Sequence, residues 1–417
     1  MGDPGRRVVP RRGVPIPRLL ARLVREVPEF RGTEVVSVAT ARGRVVLSDI
    51  RARRTLPPYD RATMDGFALR ASAGDRTDLL VRTAYRVVGR SSPGDDPRRV
   101  PPVRANTAVE VLTGAPVPRG ANTVVRTEDC RRRPGRIELR RRPLVGRDIA
   151  RRGEDFRPGE PLLTAGTRLR PWHIAALYAN EVPSVRVARR IRVGFLRTGA
   201  EIVARGHRLR PGGVRDTSGP LVRTALEELG AEAVDLGTVS DDTRAIRRAL
   251  VRALRRCDVV LTIGGSSVGR RDVVPRAVEA LPKARMLARR VRVRPGSSTG
   301  VATVGSRPVF LLSGPPVATF CGFVSIVEPF LVAFGGGAVA PRPTVLARLT
   351  RSVPHAFPGR ELLRVRLRRV RDRAVATPLD RGGASRLSSL TRADGLALLD
   401  EGHGKYRRGA TVRVLRL

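Results

Sequence analysis

Aromatic side chains are scarce in this 417-residue chain: 4% of positions, with one Trp and four Tyr. That scarcity excludes the stacking platforms on which single-stranded nucleic acids are read. Cysteine is scarcer still. Cys130, Cys257 and Cys321 lie far apart in no CxxC spacing, which excludes a disulfide framework and a cysteine zinc site and predicts buried thiols. The four histidines, His173, His207, His355 and His403, show neither HxxxH nor HExxH spacing. Zinc-protease and Ser-His-Asp chemistries therefore give way to core or surface roles. No apolar run near ~18 residues is evident, so no membrane span is expected. The basic, Pro-rich N-terminus lacks the apolar stretch of a signal peptide, and a cytoplasmic protein is the expectation.

Lysine is nearly absent as well. Only Lys283 and Lys405 are lysines among 81 basic residues, which face 38 acids and leave a formal net charge of +43. Such a charge invites phosphate binding through counterion release. The arginines, however, occur in almost every segment rather than on one tail or one helix, a composition-wide skew that also suits ion-pair-rich surfaces. Loose polyanion association is expected; specific nucleic-acid recognition is not.

What is present is a patterned, core-forming chain, 41% hydrophobic and long enough for two to four domains. Residues 18–50 hold an apolar-periodic helix candidate, "RLLARLVREV", and a strand-like "RVVLSDI". Residues 51–147 are rich in Gly and Pro with short β-like runs, the texture of a small β domain. Residues 148–188 include a Pro-started helix in "RPWHIAALYANEV", and this stretch is expected to return and pack with residues 1–50, making 51–147 an insertion. From 189 strands alternate with helices: "RIRVGFLRTG", then "TSGPLVRTALEELGA" with Thr217 or Ser218 as cap, "EAVDLGTVS", "DDTRAIRRALVRALRRC" and "DVVLTIGG". Alternation of this kind implies βαβ units and a parallel sheet with ligands at the strand carboxyl ends, over 189–335. After the Gly-rich 334–343 linker, alternating strands over 342–417 predict a small C-terminal β domain.

The stretch "VVLTIGGSSVGRRD" (259–272) carries the first chemical signal. Gly264, Gly265 and Gly269 let backbone amides approach an anion, and Ser266 and Ser267 add donors, yet the Lys and spacing of a Walker A loop are missing. A plain strand-to-helix turn is the competing reading. Carboxylates recur at strand ends and turns: Asp65, Asp155, Glu201, Asp241 and Asp272. Acids of this kind can hold Mg²⁺ together with substrate phosphates. Taken alone, each reads first as a helix cap or turn residue, Asp241 above all. "RRVRVRPGSSTG" (289–300) predicts a strand with Arg290, Arg292 and Arg294 on one face, an oxyanion clamp or a solvated edge. The turn at Ser313 and Gly314 in "VFLLSGPPVATFCGF" would form the neighbouring wall.

Together these motifs resemble the molybdopterin molybdenumtransferase (MoeA-type) family, to which the gephyrin E domain is similar. The carriers run from about residue 43 to the C-terminus: "LPPYDRATMDGFALR" (56–70), "VLTGAPVPRGANTVVRTED" (111–129), "RRGEDFRPGEPLLTAGTRLRP" (151–171), "VGFLRTGAEIV" (193–203), "VSDDTRAIRRAL" (239–250), "LTIGGSSVGRRD" (261–272) and "GASRLSSLTRADGLALL" (383–399). The resemblance implies a multidomain α/β plus β protein. It would have a MogA/MoaB-like central domain, an inserted β domain, a C-terminal small β-barrel and a homodimeric, elongated protomer. The implied reaction inserts molybdate or tungstate into adenylylated molybdopterin, releasing AMP with Mg²⁺ assisting; a separate molybdopterin adenylyltransferase would hand over the substrate. The family's functional acids fall on Asp65, Asp155, Glu201, Asp241 and Asp272, with Glu201 and Asp272 as metal ligands. Its threonine falls on Thr113, and its two lysines on Arg290 and Arg294. Where the family has "KPGKP" and "LPGNP", this chain has "RPGSS" and "LSGPP", replacing one cation by Ser297 and losing the Asn of the second loop to a proline. A family serine of the tail falls near Ala384. These departures leave a non-catalytic pterin-binding or scaffolding protein as the alternative.

Overall fold

A computed structural model describes residues 13–71, 84–265, 273–335, 337, 339–379, 382–401 and 404–417. The chain forms two compact units, residues 35–187 and residues 1–34 with 188–417.

In the first unit, alternation of side chains along Gly66–Leu69 splits a six-stranded sheet into two buried faces. Its order is Thr123–Arg126, Gly66–Leu69, Thr107–Val111, Ala84–Ser91, Arg136–Leu139, Cys130–Arg133. Phe67 and Leu69 pack with Ile137 on one face. Ala68 packs with Val109 and Ile149 on the other. Gly66 has no room for a side chain, because a Cβ there would lie 2.0 Å from the Val125 carbonyl oxygen. A separate core joins Val38 and Val46 to Leu163, Leu177 and Val187, around the helix Pro171–Ala179 that Pro171 starts.

The helix Ile16–Glu26 goes elsewhere. Ile16, Leu19 and Leu23 are buried with Val193, Phe195 and Phe330 in the α/β core of the second unit, not with residues 148–188. Its apolar stripe finds an extended hydrophobic face there, which is where such a helix stabilises most.

The α/β sheet has the order Glu232–Val239, Arg192–Thr198, Val259–Ile263, Arg307–Leu312, Gly300–Val304, Ala284–Ala288. The first four strands are parallel; Gly300–Val304 runs antiparallel to them, and Ala284–Ala288 pairs antiparallel with Gly300–Val304. Phe195, Leu261 and Phe310 face one side, against Val222 and Leu226 of the helix Ser218–Glu228 and against Phe323 and Leu331. Leu196, Val260 and Leu311 face the other side, against Ile246 and Leu250 of the helix Thr243–Arg256. All five residues of Val259–Ile263 are buried, as a central parallel strand requires.

Pro316–Phe334 is a 19-residue helical segment of mean hydropathy 2.0, long and apolar enough to cross a membrane by length and composition. It corrects the expectation that no such run exists: Glu328 breaks the apolar letters but not the helix. The fold encloses it, with 83% of its most apolar window buried. A π turn at Phe323–Val327 precedes Pro329, where a regular helix would set the proline ring against the carbonyl four residues back. The tail closes into a five-stranded barrel in which Arg360–Val370, Arg373–Pro378, Thr344–Leu349, Thr411–Arg416 and Gly395–Leu399 follow one another and the last pairs again with the first. Closure leaves no open strand edge within the ring.

Phe310 is fully buried, 5.4 Å from the ring of Phe330. Phe310→Ala should cost about 3–5 kcal/mol of stability, read as a lowered urea midpoint; an unchanged midpoint would remove this ring from the core.

Candidate functional site

Parallel strands gather their carboxyl ends on one side of a sheet, and three of them meet here. Val259–Ile263 ends in Gly264 and Gly265, with φ of +94° and +60°. The Gly264 N–H donates to the Leu312 carbonyl at 3.0 Å, keeping it beside the next strand. A Cβ on Gly264 would lie 2.6 Å from the Thr198 carbonyl oxygen, and one on Gly265 2.8 Å from Thr198 Oγ1. On the far side a Cβ on Gly314 would reach the Gly264 α-carbon at 3.5 Å. Glycine is required because the backbone bend rests directly on its neighbours. Thr198–Gly199, Gly264–Gly265 and Ser313–Gly314 therefore stand side by side.

Glu201 follows at this edge. Gly199 takes φ +139°, and a Cβ there would meet a Glu201 carboxylate oxygen at 2.7 Å, so the acid folds back over the reversal with its residue exposed. Asp241 is exposed just beyond the edge strand Glu232–Val239, at the same end of the sheet. It is not the helix cap: Asp242 accepts the Ala245 N–H at 2.7 Å in that role. Ser266, Ser267, Gly269 and Asp272 lie outside the described residues. Among the described residues no three His, Cys, Asp or Glu side chains gather as a metal cage.

Sequence reading missed the hydroxyls. Thr198 is 4% exposed and its Oγ1 has no hydrogen-bond partner; Thr299 Oγ1 is also buried and unpartnered. An unsatisfied buried hydroxyl costs about 1–3 kcal/mol, so two at one sheet edge mark a strained, polar region. Ser313 shares a 2.6 Å hydrogen bond with Ser298, and the Ser218 hydroxyl donates to the Gly314 carbonyl at 2.8 Å. Thr198 lay within a quoted motif, but nothing in its spacing signalled a missing partner.

The expected three-arginine strand is not formed. The strand is cut to Val293–Arg294, preceded by a single bridge from Val291 to Val14. Arg292 turns to Glu401 at 3.0 Å and to the Gly13 carbonyl at 3.0 Å. Arg294 is exposed, in register with Glu361. Arg290 alone faces the following turn, donating to Ser297 Oγ at 3.2 Å. A second cation, Arg364 of the barrel, is 2% exposed, and its nearby loop caps the helix after Gly314 through the Ala384 carbonyl, which accepts the Val317 N–H at 3.0 Å. All three cysteines are buried and free. Burial pushes the Cys321 and Cys130 thiols up to about 12, which leaves both inert as nucleophiles.

In the other unit, Asp65 accepts the Thr113 N–H and the Thr113 hydroxyl, both at 2.7 Å on one oxygen. These bonds, the backbone one first, hold its carboxyl below the usual carboxylate range. Asp155 is exposed, and its N–H donates to the Leu56 carbonyl at 3.0 Å. Arg61–Ala62 pairs with Ile149–Ala150, Arg61 bridges to Pro116 and Leu56 to Phe156, so the three segments bearing Asp65, Thr113 and Asp155 are laced together.

Residues 14–180 match the family model described as the MoeA N-terminal region (domain I and II). Residues 195–333 match a probable molybdopterin binding domain, and 346–417 the MoeA C-terminal region (domain IV). A protein of Bacillus subtilis (strain 168) named molybdopterin molybdenumtransferase is 32% identical over 388 residues, 92% of this chain and 89% of that one. One of the same name from Staphylococcus aureus (strain COL) is 27% identical over 97% of this chain and 96% of its own. The crystal structure of a molybdopterin biosynthesis MoeA protein from Pyrococcus horikoshii OT3 superposes with a TM-score of 0.78 at 28% identity, covering 97% of this chain and all of that one (100%). With three consecutive domain matches and a relative above 30% identity along nearly its whole length, the chain belongs to the MoeA family of molybdopterin molybdenumtransferases, enzymes of molybdenum cofactor biosynthesis.

Proposed function

We propose that this transferase inserts molybdate, or tungstate, into adenylylated molybdopterin and releases AMP, at the crevice formed by Thr198–Glu201, Gly264–Gly265 and Ser313–Gly314. The packing of three strand ends against one another carries the reading, because open α/β sheets bind ligands at the carboxyl ends of their strands. Gly264, Gly265, Ser266, Ser267 and Gly269 would supply amides and hydroxyls to the pterin and its phosphates. Arg290 and Arg294 would attract the anionic substrate, and Ser313 and Gly314 would close the opposite wall. Asp241 would act at the same sheet edge, and Asp65, Thr113 and Asp155 are the proposed catalytic residues of the unit 35–187.

The donor chemistry fits Mg²⁺. Glu201 and the neighbouring hydroxyls and carbonyls offer oxygen only, which suits a cation shared with substrate phosphates. Glu201 and Asp272 would hold it, and when bound it would screen the phosphoanhydride so that AMP departs readily. The chain's own groups bind and orient: Arg290 screens charge, and the glycine bend lets phosphate oxygens approach the backbone. With Cys130 and Cys321 inert, the reading needs no covalent intermediate.

The proposal extends to a homodimer in the cytoplasm, where free buried thiols such as these stay reduced, and to a partner adenylyltransferase that delivers the substrate. It keeps the domain boundaries 51–147, 189–335 and 342–417, and 148–188 with the early strands, while assigning the helix Ile16–Glu26 to the α/β core that buries it.

Two measurements test this. Glu201→Gln and Asp272→Asn should lower molybdate-dependent AMP release from adenylylated molybdopterin by about 10²–10³-fold with melting temperature little changed; wild-type turnover by both would remove them from the site. Thr113→Val deletes one of the two bonds to Asp65, so the Asp65 carboxyl should titrate higher by carbon-detected NMR. The stabilisation those bonds give is present above the unfolded-state pKa and lost as pH falls through the lower folded one. An unmoved titration would show the hydroxyl bond does not act on Asp65.

A further inference from the structure

Asp216 holds a position that neither the motif reading nor the proposed site uses. It follows Val214–Arg215, a short strand paired in parallel with Ile202–Val203 immediately after Glu201. The Val214 N–H donates to the Glu201 carbonyl at 2.8 Å, and the Asp216 N–H to the Val203 carbonyl at 3.1 Å. One Asp216 carboxylate oxygen accepts the Gly219 N–H at 2.8 Å, fixing the start of the helix Ser218–Glu228. The other stands 3.4 Å from Arg197 Nη1, with both side chains only 12% exposed. Arg197 is held in turn by Asp235 at 2.7 Å and by Thr238 at 3.2 Å. Gly219 leaves no slack in this arrangement: a Cβ there would lie 2.4 Å from Asp216 and 2.7 Å from Arg197.

That helix start does not itself bind an anion. The Gly219 N–H is taken by Asp216, Pro220 has none, and the Leu221 N–H donates to the Thr217 carbonyl at 3.3 Å. What it carries into the crevice is Ser218, whose hydroxyl donates to the Gly314 carbonyl at 2.8 Å while Thr319 donates to the Ser313 carbonyl at 2.5 Å. Asp216 therefore joins three parts: its N–H ties it to the Glu201 segment, and its carboxylate ties it to the end of strand Arg192–Thr198 and to the helix start that carries Ser218 to the Ser313–Gly314 wall.

We infer that Asp216, backed by Arg197, is a positioning residue that sets the spacing between Glu201 and the Ser313–Gly314 turn, and so the width of the crevice for the pterin phosphates. The inference rests on reading that crevice as the substrate site. Loss of the carboxylate would free the helix start and let the two walls drift apart, weakening substrate binding more than the chemistry.

The test measures KM for adenylylated molybdopterin and kcat by AMP release, alongside melting temperature. Asp216→Ala and Gly219→Ala are expected to raise KM about tenfold with kcat within about threefold. Ser218→Ala, which deletes only the hydroxyl, should raise KM in the same direction and covers the case in which Asp216→Ala fails to fold. Asp235→Ala removes Arg197's closer partner without touching the helix start; it should lower the melting temperature while leaving KM within about twofold. A KM that follows melting temperature across all four variants, or that stays at the wild-type value in Ser218→Ala and Gly219→Ala, would reduce Asp216 to a stabilising ion pair. Absence of AMP release by the wild-type enzyme would overturn the substrate reading itself, and this inference with it.

Discussion

The α/β domain depends on backbone meeting backbone at the ends of its parallel strands. Gly264 and Gly265 lie so close to Thr198 that any side chain would strike it, and Gly314 closes on Gly264 from the other side. A parallel sheet is buried on both faces and leaves only its ends for ligands, so a bend stripped of side chains exposes peptide groups where an anion can reach them. The alternating face pattern of Phe195 and Leu196, or Phe310 and Leu311, fixes the strands rigidly enough for that approach to persist.

Charge is the second constraint. With a net +43, each carboxylate faces an excess of guanidinium groups, and the more buried ones take them up. Asp235 binds Arg197 and Arg223, and although burial opposes its ionisation, the arginines and the Gly237 N–H hold its carboxyl below the ordinary range. Burial instead dominates at Glu328, raising its carboxyl despite Arg342 at 3.2 Å. Ion pairs on the exposed surface contribute little to stability, about 0–1 kcal/mol each. The partly buried ones around Arg197 matter more for where groups stand than for how tightly the chain folds.

The sequence made much of this legible, unevenly. The strand–helix alternation over 192–263 was readable because strand and helix periods are local properties, and the Pro171 helix start was readable for the same reason. The three-arginine strand failed because Arg292 finds Glu401, 109 positions away, and leaves the expected face. The cap assigned to Asp241 belongs to Asp242, since both acids precede the helix and only backbone geometry chooses between them. Counting apolar letters missed Pro316–Phe334, because a helix continues through a buried glutamate that Arg342 meets at 3.2 Å.

By itself, the order of motifs along the chain determined the family, the parallel sheet and the glycine bend, since each follows from short-range spacing and residue type. Only the tertiary structure decided that Thr198 and Thr299 are buried without partners, that the helix Ile16–Glu26 joins the α/β core, and that Ser218 reaches a carbonyl 96 residues away. The physical reason is one of range. Periodicity is written in neighbours, whereas a hydrogen bond or a missing one is settled by whichever distant segment the packed core delivers to that point.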